Sequence, residues 1–194
     1  MEKHTIGIIV GSTREGRFSE YPATWIHALT EKSESLTAEI VDLRDYALPF
    51  LTSNTNPSRM GGVYPNPEVA RFAEKIKALD GYIVVTPEYN RSTSGVLKNA
   101  LDHIYGEFAN KPVTFISYGS VGGARAVEQL RSIAIEHQMA PIRSAVHIMA
   151  PWFLRETDGS LKAGAFDSYT QGAEAMLEQL TWWTKALKTG RAAT

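Results

Sequence analysis

Two hydrophobic periods alternate along the chain. Short apolar runs rich in Val and Ile, at 5–10, 38–41, 82–86, 113–117 and 145–149, have the near-continuous hydrophobicity of strands buried on both faces. Between them apolar residues return every three or four positions, as on one face of a helix. Val69, Phe72, Ile76 and Leu79 form one such face, Leu97, Ala100, Leu101 and Ile104 a second, and Val127, Leu130 and Ala134 a third. The longest stripe runs through Ala173, Met176, Leu177, Leu180, Trp183, Thr184 and Leu187, and a less regular helix is expected from about 19 to 32. Five strand–helix alternations predict an α/β protein whose parallel sheet is covered on both faces. Two stretches, 43–66 and 150–168, break the pattern with Pro, Gly and Asn, and loops this long are usually functional or variable insertions. Trp182 and Trp183 fall in the last helix and are expected to be packing residues.

Composition narrows the class. The 194 residues, read against about 150 per domain, predict one domain spanning 1–194. The chain is 43% hydrophobic and 21% charged, so it carries enough apolar surface for a core without disulfides or metal. Lys and Arg number 20 against 21 Asp and Glu, a net charge of −1. No cationic excess suits a nucleic-acid or polybasic membrane partner. The absence of Cys excludes thiolate metal sites, iron–sulfur ligation and cysteine nucleophiles. MEKH leads straight into the first apolar run with no basic-then-apolar leader, and no apolar stretch nears the ~18 residues of a membrane span, so a cytoplasmic location is expected.

In an open parallel sheet ligands bind beyond the C-terminal ends of the strands, and three loops there carry unusual residues. The first, GSTREGRFS at 11–19, offers hydroxyls, the guanidiniums of Arg14 and Arg17, and the start of a helix, a combination suited to phosphate. Its Gly-x4-Gly spacing mimics a Walker A loop, but Arg17-Phe18 stand where that motif needs Lys and Ser or Thr. The dinucleotide GxGxxG is absent too. Hydroxyls with Arg, in place of a glycine cradle, suit a terminal phosphomonoester such as that of flavin mononucleotide (FMN). The second loop, TPEYNRSTSG at 86–95, could frame the polar edge of a flavin ring. The third, SYGSVGG at 117–123, has three glycines that would let backbone approach a flat ligand. A serine hydrolase is disfavoured, because Tyr118 stands where a nucleophile elbow needs Gly. The five His residues show no metal-binding spacing.

Together GSTREGR at 11–17, TPEYNRSTSGVLKNALD at 86–102 and KPVTFISYGSVGGARAVEQLR at 111–131 resemble the NADPH-dependent FMN reductase family, in order and over most of 7–149. The resemblance implies a three-layer flavodoxin-like fold with a five-stranded parallel sheet of order 2-1-3-4-5 and one FMN at its C-terminal edge. Ser12, Arg14, Arg17 and Ser19 would hold the phosphate. Pro87, Glu88, Tyr89 and Asn90 would line the ring, with Ser92 near the phosphate or ribityl side. Ser117, Tyr118, Gly119, Gly122 and Gly123 would close the other side. NADPH or NADH would be co-substrate, with a quinone, flavin, azo or nitro compound or metal oxyanion as acceptor. No side chain is nominated as catalytic, since the flavin carries the chemistry. Relatives are usually homodimers or homotetramers. Glu15 replaces a frequent Pro and His103 a frequent aromatic. The alternatives are a flavodoxin-type electron carrier or flavin sensor, and a phosphate-binding α/β protein of other chemistry.

Overall fold

The computed structural model describes residues 3–193. The apolar runs form parallel strands β1 (His4–Val10), β2 (Leu36–Asp42), β3 (Gly81–Pro87) and β4 (Pro112–Gly119), followed by two short strands, β5 (Ala140–Pro141) and β6 (Val146–Met149). Their order is β2-β1-β3-β4-β5, with β6 also on β4, the flavodoxin-like arrangement. β3, at the centre, is buried at every position. The edge strand β2 leaves Glu39 and Ile40 exposed, as one open side permits.

Strand periodicity divides the core into two layers. Ile9, Tyr82, Val84 and Phe115 point to one face, where they meet α2 (Pro67–Ala78), α3 (Gly95–Asp102) and α4 (Ala124–Glu136) through Phe72, Ile76, Leu97, Val127 and Leu130. Ile6, Ile8, Ile83 and Ile116 point to the other face. There they meet α1 (Glu20–Thr30) and α5 (Asp167–Ala192) through Ile26, Ala173, Met176 and Leu180. The expected helical faces pack on the sheet, except that Leu187, at the end of the longest stripe, joins neither core layer. Trp183 packs on the second layer, but Trp182 is 64% exposed, against expectation, because the helix turns it away from the sheet. No helix among the described residues is long and apolar enough to cross a membrane.

The last strand differs from the single run expected at 145–149. Four residues, 142–145, stand opposite only two of β4, so the strand is split in two. The bulge is held by side chains from other elements. Arg131 of α4 donates to the carbonyls of Ile142 (2.6 Å) and Arg143 (3.0 Å), Thr114 donates to Ser144 O (2.6 Å), and Ser144 N–H donates to Gln179 of α5 (2.9 Å).

Parallel strands bring every β-to-α loop to one edge, and both long loops rise at that edge too. The loop 43–66 contains two 3-10 turns. It is pinned where Asn99 Nδ2 and His103 Nε2 donate to Pro49 O (2.9 and 2.7 Å) and where the Tyr64 hydroxyl donates to the buried Glu107 carboxylate (2.8 Å). The loop 150–168 opens with a 3-10 turn, Pro151–Leu154, and folds back through an antiparallel bridge between Arg155 and Leu161.

Candidate cofactor site

The β1–α1 loop leaves the sheet with Gly11 N–H bonded to Val85 O (2.8 Å). Beyond it, the backbone N–H groups of Ser12 to Gly16 donate to no described residue, and turns at 15–16 and 18–19 lead into α1. A row of open amides ahead of a helix is an anion cradle. Ser19, the residue before α1, has helical φ and ψ and does not cap the helix with its side chain. Its Oγ is fully buried with no hydrogen-bond partner, facing the Tyr118 hydroxyl without bonding geometry. Ser12 Oγ is 3.1 Å from the Tyr89 hydroxyl. Arg14 is exposed, lies over the Tyr89 ring at 5.6 Å, and has no carboxylate partner among the described residues.

Arg17 differs from the phosphate-binding role expected of it. It is buried, and its guanidinium is already filled by the Asp42 carboxylate at the end of β2, by Glu20 (3.1 Å) and by Ser12 O. It therefore braces the loop from beneath. Burial works against the charge on Asp42, but the bonds from Arg17 and from Arg44 N–H outweigh it and hold the carboxyl below its usual range.

The loop after β3 is built around a tight turn. Tyr89 N–H bonds Ser92 O (2.8 Å), Ser92 N–H bonds Tyr89 O (3.0 Å), and the two residues between, Asn90 (φ 49°) and Arg91 (φ 70°), are both left-handed. That is the two-residue hairpin turn with both central φ positive, where Asn is a favoured first residue. Pro87 pairs in register with Tyr118 at the sheet edge. Two side chains expected at the ligand instead serve α4. Glu88 forms an ion pair with Arg125 Nε (2.7 Å) and accepts from Arg125 N–H (3.2 Å), which caps the helix start. Ser92 Oγ donates to Gln129 Oε1 (2.5 Å), while Gln129 Nε2 donates to Arg91 O (3.0 Å). Backbone, not carboxylate or hydroxyl, is what these two positions present at the sheet edge.

The glycine loop after β4 is also explained largely from within. Ser117 Oγ donates to Gly122 O (2.6 Å) and accepts from His147 Nδ1–H (2.8 Å), so this hydroxyl too is spent inside the protein. Gly122 (φ 69°) and Gly123 (φ 74°) take conformations that L side chains rarely adopt. A Cβ on Gly122 would sit 2.9 Å from His147 Cβ, and one on Gly123 2.7 Å from Ser117 Cβ. These glycines let the loop fold down onto β4 and β6. Gly119 keeps contact with the Glu88 stem, 3.3 Å from the place its own Cβ would take. The Tyr118 ring turns to the α1/α5 face and meets Phe18 edge-on at 5.1 Å, and burial pushes its hydroxyl up to about 12.

The structure thus gathers Ser12, Arg14, Ser19, Tyr89 and Tyr118 around the open amides, with Pro87, Asn90 and Gly119 on the adjoining edge. It commits the side chains of Arg17, Glu88, Ser92 and Ser117 elsewhere. Their partners Asp42, Arg125, Gln129 and His147 are remote in sequence and carry no motif. Recesses open beside Arg14 and Tyr89, one of them over Glu88 and Asn90, and two more run to either side. Of these two, one of about 440 Å³ runs along Leu43, Tyr46, Phe50, Val96 and Ala100; the other, of about 220 Å³, lies between Gly16, Phe18, Tyr118 and Trp152. An unpaired guanidinium, open amides and an unpartnered buried hydroxyl fit a phosphomonoester dianion, and the adjoining backbone offers donors and acceptors for a ring edge. These donors fit FMN.

A family model described as NADPH-dependent FMN reductase matches residues 4–152. An NAD(P)H-dependent FMN reductase of Schizosaccharomyces pombe, C4B3.06c, is 34% identical over 141 residues, covering 72% of this chain and 70% of the relative. The quinone reductase of Escherichia coli K12 is 32% identical, covering 69% and 71%. Among solved structures, the flavoenzyme NAD(P)H:acceptor oxidoreductase FerB from Paracoccus denitrificans superposes with a TM-score of 0.73 at 22% identity, covering 94% of this chain and 98% of its own.

Proposed function

The chain belongs to the NADPH-dependent FMN reductase family, and on that premise we propose that it is an FMN-dependent NAD(P)H oxidoreductase acting on a small acceptor. Quinones are the favoured acceptors, followed by azo compounds, because relatives are a 2-hydroxy-1,4-benzoquinone reductase at 37% identity and an FMN-dependent NADPH-azoreductase at 35%. When bound, FMN supplies two-electron transfer from NAD(P)H to the acceptor.

The chain's own part is to bind and orient. The amides of Ser12 to Gly16, with Ser19 Oγ and Arg14, would hold the phosphate. Ser12 and Tyr89 would hold each other in place beside it. The backbone of Pro87 to Asn90 and of Tyr118 to Gly119 would receive the ring edge. Arg17 and Glu88 would act one step back, fixing the first loop to β2 and the third to α4. Phe50 (84% exposed), Val63, Trp152 and Phe153 stand uncovered on the two long loops flanking this edge, which supports a homodimer or homotetramer with the site near the subunit contact. We place this single domain in the cytoplasm, where NAD(P)H is supplied.

The observation that carries the reading is the open amide row with its unpartnered Ser19 hydroxyl, at the edge where three strands end. The test is reconstitution. Purified protein mixed with FMN and then desalted should retain flavin absorption bands at one per chain. Protein that emerges colourless would remove FMN from the account and leave a phosphate-binding α/β protein of other chemistry.

A further inference from the structure

The loop 150–168 brings a second unpaired cation to the amide row. Arg155 lies just beyond the 4–152 segment that the family model matches. Its guanidinium rests over the rings of Phe18 (5.5 Å) and Tyr21 (5.3 Å), and Nη2 donates to Gly16 O (3.1 Å), inside the row. Its Nε is buried and has no hydrogen-bond partner. A buried guanidinium N–H left unfilled is costly and asks for an acceptor. Among the described residues no carboxylate pairs with Arg155, and none pairs with Arg14, which lines the same recess of about 220 Å³. Glu15 stands at the rim, exposed, without an ion pair to either. The hairpin that carries Arg155 is itself fixed, since Tyr21 donates to Gly159 O (3.0 Å) and Arg155 bridges Leu161.

Arg14, Arg17 and Arg155 line one recess; Arg17 is paired with Asp42, and the like charges of the other two favour an anionic ligand there. We propose that Arg155 is a phosphate-binding residue, which reaches in from the second long loop to place a further cation on the flavin phosphate held by residues 12–20. The inference rests on the FMN reading. It also assigns a role to the 150–168 loop, which ties cofactor retention to a segment outside the three motifs. The flavin phosphate is favoured over a phosphate of the dinucleotide because Nη2 already bonds the carbonyl of Gly16, within the cradle itself.

The test compares FMN with riboflavin, which lacks only the phosphate, by quenching of flavin fluorescence. The proteins are wild type, Arg155→Met and Arg155→Lys. Met keeps an apolar stem over Phe18 and Tyr21, and thermal melts check folding. Arg155→Met should weaken FMN roughly tenfold or more while riboflavin stays within about twofold, and Arg155→Lys should recover part of the FMN loss. Equal weakening of both flavins would make Arg155 a structural brace and overturn the proposal, as would no change in either. A rise in KM for NADPH with an unchanged FMN-to-riboflavin ratio would move Arg155 to the dinucleotide, which also overturns it. Wild type that binds riboflavin as well as FMN would overturn the phosphate cradle itself, a separate and readable failure.

Discussion

Arg14 and Arg17 stand three positions apart in one loop, and their surroundings divide their roles. Arg14 is exposed and unpaired, so its loss removes charge from the cradle and little from the fold. Arg14→Ala should weaken FMN about ten- to a hundredfold, leave riboflavin nearly unchanged and leave the urea midpoint where it was. Arg17 is buried against Asp42. Arg17→Ala would leave that half-buried carboxylate uncompensated and should cost about 3 kcal/mol of folding stability in urea titrations. The variant should also lose less stability than wild type as the pH falls below about 4. Asp42 is held below its unfolded value, so its contribution is present above that value and is lost as the pH falls from there through the folded-state pKa. The sequence shows both arginines as equal candidates. Asp42 lies 25 residues further on, and nothing in the loop's own residues tells which guanidinium the sheet has already taken.

The elements themselves were legible, because each buried strand and each helical face writes its period into the apolar positions. The split of the last strand was not. It depends on Arg131, Thr114 and Gln179 satisfying the bulge from three other elements. The glycine loop shows the same limit at the site. Its composition marks it as a place of close approach, but the neighbours approached are Ser117 and His147. Gly123→Ala should therefore cost about 1–3 kcal/mol from backbone strain and overlap, with or without flavin present; a loss of flavin affinity at unchanged stability would return this glycine to the ligand. α2 supplies a pH test. The buried Lys111 donates to Ile76 O (3.0 Å) and Lys77 O (2.8 Å) at the end of that helix, and burial, with Arg191 nearby, lowers its pKa to about 8. The unfolded chain, with a Lys near 10.4, then binds more protons between these values. Stability should rise with pH across about 8 to 10 and level off below 8, where both states hold the proton. Chemical denaturation of wild type beside Lys111→Met checks this, since the rise should vanish in the variant.

For the whole molecule, the parallel sheet does the assembling. Residues from three loops spread over some hundred positions meet at one edge because β1, β3 and β4 are neighbours with their C-termini together. The positions of the site segments could be read from the sequence for this reason. Which side chains remain free there could not, because Glu88 is taken by Arg125 and Ser92 by Gln129 only once α4 has packed. Exposed apolar residues of the two long loops flank this edge, and in this account NADPH and acceptor use one site over the bound ring in turn. Donor and acceptor should then exclude each other. Initial rates of NADPH oxidation by FMN-loaded protein, with NADPH and a soluble benzoquinone both varied, test the account most directly. It predicts sustained turnover and parallel double-reciprocal lines. No NADPH oxidation despite retained FMN would contradict it and leave an electron carrier, and intersecting lines would contradict the shared site.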